Sequence, residues 1–399
     1  MPSLVSLEEA QRLVLDRVRP LEAERVPVER AAGRVLAEAP VSATDLPPFP
    51  SSAMDGFAVR AAEAQAGAVL PVVGRIVAGA PAGRALASGE AMAVSTGGVV
   101  PEGADAVVPL ELVDEADGTI TVREAVAAGA NVRPRGGDAR AGEPVLAPGN
   151  RLGPVGIGAL AAAGVHEVQC RKRPRVGILV TGSELRRPGE PLEPGEIYES
   201  NGLQLAAALG EAGAVPAQLG VVPDDETALE RTMERALLGF DMLVTSGGAS
   251  VGPHDLVRKV QAGLRAEEVF WGVAVKPGKP VAFSMRRAHP LFNLPGNPVS
   301  VLVCFLLFVR PAVNAQLGLP DPLPAFSRGT LATSLRRNRE RHEFVRARTR
   351  RDGNEVVLEP LAGQESHMIV RAGAADALVS VEAGEGELEA GGPVRFLWL

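Results

Sequence analysis

Only two cysteines, Cys170 and Cys304, occur in 399 residues, and they lie far apart. No disulfide framework follows, and a reducing cytoplasm is the expected setting. His166 and Cys170 are four apart, but two ligands do not make a zinc site. Aromatic residues are 4% of the chain, with Tyr198 the single tyrosine, so the cores must be built from Ala, Val and Leu. An excess of positive charge is missing too. The formal net charge of −7 excludes a broad electrostatic nucleic-acid face but allows a local anion site. The longest largely apolar run, Val299 to Val309, is too short to cross a bilayer and reads as a buried helix. No basic-then-apolar leader opens the chain. Lysine is the scarcest cation, with four lysines against 37 arginines. A lysine kept in such a background marks a place that needs a compact ammonium rather than a planar fork. Two of the four stand in one motif, Lys276-Pro-Gly-Lys279.

Several catalytic signatures are absent. No Gly-x-Gly-x-x-Gly follows a strand. The nearest approach to a P-loop separates Gly272 from Gly278-Lys279 by five residues and continues with Pro280. Five scattered histidines define no Ser–His–Asp set.

What is present falls into four parts. Ser6-Leu-Glu-Glu9 is a capping-box pattern, followed by an apolar face of Leu7, Ala10, Leu13, Val14 and Val18. After the rigid Pro47-Pro-Phe-Pro50, the chain to about Pro148 is glycine-rich with short strands predicted at 69–77, 91–94, 106–109 and 119–122. A small helix is predicted within Leu152–Ala163. From Pro174, strands alternate with helices, which implies a mostly parallel sheet covered on both faces. Strands are expected at 176–180, 215–222, 241–245, 269–275, 281–284 and 291–294. Asn201 is the expected cap of a helix ending at Gly213, and Asp224 or Asp225 the cap of one running to Leu238. Beyond a Pro-rich linker at 319–324, strands return around the hairpin signal Arg350-Arg-Asp-Gly-Asn354, as in a small β-barrel or sandwich. The fold class is therefore multidomain α/β. A linking layer (1–45 with 143–173) precedes an inserted β domain (46–142), an α/β domain (174–325) and a C-terminal β domain (326–399).

The chemistry gathers in loops at the carboxyl ends of the α/β strands, where open sheets hold ligands. Thr181-Gly182-Ser183-Glu184 follows the first strand, and Asp224-Asp225 follows the next. Ser246-Gly247-Gly248 turns towards Asp255, Lys276-Pro-Gly-Lys279 joins two strands, and Pro295-Gly296-Asn297-Pro298 leads to Ser300. Glycines let backbone approach a ligand, and helix N-termini attract anions. Lysines three apart across a Pro-Gly turn converge on one oxyanion. Glu184, Asp224, Asp225 and Asp255 would repel a phosphate unless a cation intervened, and oxygen ligands beside phosphates point to Mg²⁺. A helix cap is the plainer reading of Asp224 or Asp225, and a first-turn dipole residue remains an alternative for Asp255.

With these motifs in hand, the chain resembles the molybdopterin molybdenumtransferase family (MoeA), whose fold also forms the E domain of gephyrin. The resemblance rests on Pro47-Pro-Phe-Pro-Ser-Ser-Ala-Met-Asp-Gly-Phe-Ala58, Thr181-Gly-Ser-Glu-Leu185, Ile197-Tyr-Glu-Ser-Asn201, Thr245-Ser-Gly-Gly-Ala-Ser-Val-Gly252, Lys276-Pro-Gly-Lys-Pro280 and Leu294-Pro-Gly-Asn-Pro-Val-Ser300, in that order. It implies a cytoplasmic enzyme that takes adenylylated molybdopterin and molybdate, with Mg²⁺, to molybdenum cofactor and AMP. It implies catalytic roles for Glu184, Asp55, Asp138, Asp224 and Asp255, with Glu184, Asp224 and Asp255 on Mg²⁺. Substrate contacts are implied for Thr96, Thr181, Gly182, Ser183, Ser246, Gly247, Gly248, Pro295, Gly296, Asn297 and Pro298. Molybdate contacts are implied for Lys276, Lys279, Ser300, Arg341 and Ser366. Arg341 precedes His342, where the family often has Pro. A homodimer is implied, in which the β domain faces the partner's α/β domain. Molybdopterin adenylyltransferase and acceptor molybdoenzymes are the expected partners, with no nucleic acid and no membrane. The alternative function is a non-catalytic molybdopterin-binding scaffold or carrier of the same fold.

Overall fold

The computed structural model describes residues 4–77, 79–248 and 256–399. The chain forms two compact units, one of Met1–Glu24, Gly33–Ala37 and Cys170–Leu399, the other of Arg25–Ala32 and Glu38–Gln169. The first helix, α1 (Leu7–Leu15), buries Leu7, Ala10 and Val14. The Glu9 backbone N–H donates to Ser6 Oγ at 3.1 Å, so the predicted cap forms. Its reciprocal half does not, because the Glu9 carboxylate takes Arg12 at 2.6 Å instead.

The second unit is built on a six-stranded sheet. Its strands are β1 (Gly56–Val59), β2 (Val69–Ile76), β3 (Ala91–Val94), β4 (Ala106–Pro109), β5 (Val113–Ala116) and β6 (Thr119–Val122). They lie in the order β4-β1-β3-β2-β6-β5. The pairing of β2 with β3 is parallel and the others are antiparallel. Phe57, Val59, Leu70, Ile120 and Val122 fill its core. The helix predicted within 152–163 spans Pro154–Ala162 (α2), with Pro154 at its start.

In the first unit the alternating pattern is realised as β7 (Arg175–Thr181), α3 (Asn201–Ala212), β8 (Val215–Val222), α4 (Glu226–Ala236), β9 (Met242–Ser246), α5 (Leu256–Gly263), β10 (Glu267–Trp271), β11 (Ala282–Arg286) and β12 (His289–Leu294). The sheet order is β8-β7-β9-β12-β11-β10. The strands β8, β7, β9 and β12 run parallel, whereas β11 is antiparallel to both its neighbours, so the sheet is mixed. Register aligns the ends that matter. Thr181 pairs with Val222, Val180 with Ser246, and Ser246 with Leu294. The loops after β7, β8, β9 and β12 therefore leave one edge of the sheet.

The apolar run becomes one continuous helical stretch, Pro298–Gln316, most of it buried. It is a core helix, and Val299, Val301, Val303, Phe305, Leu307 and Phe308 are closed off almost completely. Each such side chain contributes on the order of 2 kcal/mol by leaving water. The helix is not uniform. It runs as α6 (Pro298–Cys304), a π-turn at Phe305–Val309 and α7 (Arg310–Gln316). Pro311 supplies no N–H and its ring crowds the carbonyl four residues back, and a widened turn relieves both.

The strand predicted over 269–275 divides. Its first half is β10, and Val275–Lys276 leaves the sheet to pair with the C-terminal part. That part is a closed five-stranded barrel, which decides between barrel and sandwich. Its strands are β13 (Ser327–Leu331), β14 (His342–Asp352), β15 (Glu355–Pro360), β16 (Ala377–Val381) and β17 (Pro393–Trp398). The ring runs β14-β15-β13-β17-β16 and closes as β16 pairs with β14. Two helix expectations need correction. Ser200, not Asn201, stands at the cap position of α3, and α4 ends at Ala236 rather than Leu238.

Candidate active site

The pair Asp224-Asp225 divides its work. Asp225 is the cap of α4, its Oδ1 accepting from the Ala228 N–H at 2.8 Å. Asp224 is released from capping, and its Oδ1 accepts from the Thr181 hydroxyl at 2.7 Å. Thr181 is only 2% exposed, so it is a rigid post that aims the exposed Asp224 along the sheet edge. Glu184 is exposed at the same edge. Both its carboxylate oxygens lie 2.8 Å from where a side chain on Gly182 would begin, so the missing Cβ lets the carboxylate fold back to the strand end. Ser183 is exposed beside it, its carbonyl accepting from Arg186 at 3.1 Å.

The turn after β9 is equally constrained. Gly247 has φ +90°, and a Cβ there would meet the Thr181 carbonyl oxygen at 2.1 Å. Only glycine fits between the ends of β7 and β9. Gly248 follows, half-buried, and the Gly247 Cα lies 3.9 Å from the Cβ position of Gly296. The turns after β9 and β12 thus face each other. Ser246 is fully buried, and its hydroxyl donates to the Pro295 carbonyl at 3.1 Å. It holds the loops rather than meeting solvent. Asn201 completes the join, its Nδ2 donating to Ser246 Oγ at 2.9 Å and to the Gly296 carbonyl at 2.7 Å. Its place as an apparent helix cap hid this role in the sequence. The signal was the motif Ile197-Tyr-Glu-Ser-Asn201, in which Ser200 already supplies a cap position.

The cations of the motif Lys276-Pro-Gly-Lys279 lie on the chain between β10 and β11. The short strand Val275–Lys276 pairs in parallel with His342–Glu343 of β14, and Lys276 Nζ lies 2.9 Å from Glu343 Oε1. Lys279 is half-buried and has no ion-pair partner among the described residues. Cys304 Sγ donates to the Gly278 carbonyl at 3.5 Å, which seats the lysine turn on α6. Ser300, 4% exposed, has its carbonyl 3.9 Å from the Cβ position of Gly278. Ser366 reaches the same helix start from the barrel. It accepts from Asn297 Nδ2 at 2.8 Å through Oγ, and from the Val299 N–H at 3.1 Å through its carbonyl. Pro298 is the first residue of α6. Arg341, immediately before β14, lines a cleft of about 570 Å³ with Arg336, Arg337 and Arg339. Ser300 and Ser366 thus stand at the start of α6, the lysine turn rests on the same helix through Gly278, and Arg341 precedes the strand that carries the Lys276 partner.

In the other unit, Asp55 and Thr96 meet. The Thr96 N–H donates to Asp55 Oδ1 at 2.7 Å, and the Thr96 hydroxyl lies 3.2 Å from the same oxygen. Asp138 is exposed on the segment that returns along Leu46, to whose carbonyl its N–H donates at 2.8 Å. Its carboxylate is not hydrogen-bonded to Asp55 or Thr96.

Among the described residues no three His, Cys, Asp or Glu side chains form a metal cage. Asp255 lies outside the described residues. Glu184 and Asp224 remain as hard oxygen donors. That set fits Mg²⁺, which takes one or two carboxylates and completes its shell with water and phosphate oxygens.

The architecture and this edge define the class: a multidomain α/β protein with a ligand-type loop cluster at the carboxyl edge of its sheet. Residues 177–315 match the model of a probable molybdopterin binding domain. Residues 5–164 match the MoeA N-terminal region (domain I and II), and 328–399 the MoeA C-terminal region (domain IV). The chain belongs to the molybdopterin molybdenumtransferase (MoeA) family of molybdenum cofactor biosynthesis. It is 38% identical over 353 residues to molybdopterin molybdenumtransferase 2 of Mycobacterium tuberculosis, covering 86% of this chain and 87% of that one. It is 34% identical to the molybdopterin molybdenumtransferase of Haemophilus influenzae, covering 98% of each. The crystal structure of the molybdopterin biosynthesis MoeA protein of Pyrococcus horikoshii superposes over 100% of both chains, with a TM-score of 0.86 at 30% identity.

Proposed function

We propose that this chain inserts molybdenum into adenylylated molybdopterin, using molybdate and Mg²⁺, and releases molybdenum cofactor and AMP. The observation that carries the reading is the single sheet edge on which Asp224, Glu184, the Gly247-Gly248 turn and the Pro295–Pro298 loop stand together, with the lysine turn seated on α6, the helix this last loop opens. The glycine turn lets phosphates or the pterin approach backbone N–H groups. Lys276, Lys279, Ser300, Ser366 and Arg341 supply cations and hydroxyls for a dianionic oxyanion such as molybdate. Glu184 and Asp224, with Asp255, hold Mg²⁺, which supplies Lewis-acid stabilisation of charge on the phosphates. Thr181 and Ser246 are positioning residues, since their hydroxyls are committed to Asp224 and Pro295. Asp55, Thr96 and Asp138 act from the β unit. The homodimer, the cytoplasmic setting and the four-part division at 45, 142, 173 and 325 belong to the same proposal.

The test is direct. Purified protein given adenylylated molybdopterin, molybdate and Mg²⁺ releases AMP, measured by chromatography. Folded protein that releases none overturns the reading.

A further inference from the structure

One polar atom at the sheet edge is not accounted for by the roles above. Asn201 donates both Nδ2 hydrogens, to Ser246 Oγ at 2.9 Å and to the Gly296 carbonyl at 2.7 Å. This pattern fixes which end of the amide is which. Flipping the group would set Oδ1 against the Gly296 carbonyl, two acceptors face to face. The Ser246 hydroxyl gives no escape, because its hydrogen goes to the Pro295 carbonyl. Asn201 Oδ1 is therefore held in one direction. It is buried and has no hydrogen-bond partner among the described residues. A buried acceptor without a partner is rare in folded proteins, and one at a ligand edge points to a donor that arrives with the ligand.

We infer that Asn201 is a specificity-determining residue whose Oδ1 accepts a hydrogen bond from an N–H or O–H of the bound substrate. The inference rests on the reading of this edge as the adenylylated-pterin site. An acceptor that cannot rotate favours ligands carrying a donor at that point, and it penalises those presenting a carbonyl or ring nitrogen there. The donor belongs either to the pterin or to the adenylyl group, and both carry amino or hydroxyl donors.

Titration calorimetry on the full chain separates the possibilities with ligand pairs that differ by one donor. The pairs are AMP against purine riboside 5′-monophosphate, AMP against 2′-deoxy-AMP, and pterin against 4-hydroxypteridine, which lacks the 2-amino group. For one pair, the donor-bearing ligand is expected to bind the unaltered protein about tenfold more tightly, the effect of one neutral hydrogen bond. In Asn201→Ala the two members of that pair bind equally. Asn201→Ser, too short to reach the ligand, serves as a second loss variant where the alanine variant fails to fold. A preference that survives in Asn201→Ala, or weakening of every ligand by one common factor, overturns the inference and leaves Asn201 as a loop staple. Failure of both AMP and pterin to bind the unaltered protein overturns the reading of the site, and the inference with it.

Discussion

Glu184 and Asp224 stand near the ends of the adjacent parallel strands β7 and β8, yet their surroundings differ. Asp224 is held by Thr181 Oγ1 at 2.7 Å, whereas Glu184 is placed by the absence of a side chain on Gly182. Glu184→Gln removes the charge and keeps the shape. It is expected to lower AMP release by roughly 100-fold or more, the scale of a lost acid–base or metal-binding group, with the melting temperature unchanged. Full activity would exclude Glu184 from the chemistry, and loss of cellular function with this variant would separate an enzyme from a carrier. Lys279, without an ion-pair partner among the described residues, is the cleaner of the two lysines to test. Lys279→Ala should raise the KM for molybdate about tenfold, with turnover restored by raising molybdate, as for one lost charge-assisted contact. Lys276→Ala carries a second effect, because it strands Glu343, 14% exposed, without its cation. Lys276 is itself 43% exposed, so the pair is worth at most about 1 kcal/mol. Much of this was legible beforehand, since a lysine retained among 37 arginines already marked the turn. Asn201 was not, because an asparagine beside a helix start has the same local pattern whether it caps the helix or ties two loops. Only the ends of β9 and β12 distinguish the two.

Helix α4 and the strand β14 show what single elements add. The sequence places two aspartates before α4 and cannot say which caps, because either spacing puts an oxygen near a first-turn N–H. The backbone decides it: Asp225 accepts from the Ala228 N–H at 2.8 Å, and Asp224 turns to Thr181. Asp225→Ala is therefore expected to cost about 1 kcal/mol of stability in urea melts and leave turnover intact. Asp224→Asn should do the reverse, and equal behaviour of the two would refute the division. In β14, His342 lies 2.7 Å from Ser380 Oγ and stacks on Phe344 with ring centroids 4.8 Å apart. Burial pushes its pKa below the ordinary value of 6.5. The folded state thus prefers the neutral ring. This contribution is complete above pH 6.5 and is lost as the pH falls from there through the lowered folded-state value, since the unfolded chain binds the proton first. A His342→Gln variant should lose less stability than the unaltered protein between pH 7 and about pH 5 in paired denaturant titrations. Parallel curves would remove His342 from the acid sensitivity. Alternation and turn residues revealed most of these elements. The departure of Val275–Lys276 to the barrel was hidden, because it depends on a partner strand distant in sequence.

At the scale of the whole molecule, the proposed site residues fall in two units that the chain builds separately. Glu184, Asp224 and the lysine turn belong to one, and Asp55, Thr96 and Asp138 to the other. Family resemblance implies a homodimer in which the β domain of one copy faces the α/β domain of its partner. In the proposed homodimer, closed two-fold symmetry would make two equivalent sites, each drawing on both copies. This arrangement has a consequence that single variants cannot show. Asp55→Ala and Glu184→Ala should each abolish AMP release as pure homodimers. Coexpressed with distinct tags and purified through both, the mixed dimer carries one site with both lesions and one with neither. It should then recover about half of the unaltered activity per dimer. If Asp55 instead served Glu184 of its own chain, every site in the mixed dimer would hold one lesion, and activity would stay at the level of the single variants. Light scattering must first show a dimer, because a monomer would remove the premise. The Asp55–Thr96 contact, 2.7 Å from backbone N–H to carboxylate, gives a control within the β unit. Thr96→Ala keeps that backbone donor and loses the hydroxyl, so in the same mixed-dimer assay it should complement Glu184→Ala at least as well as Asp55→Ala does.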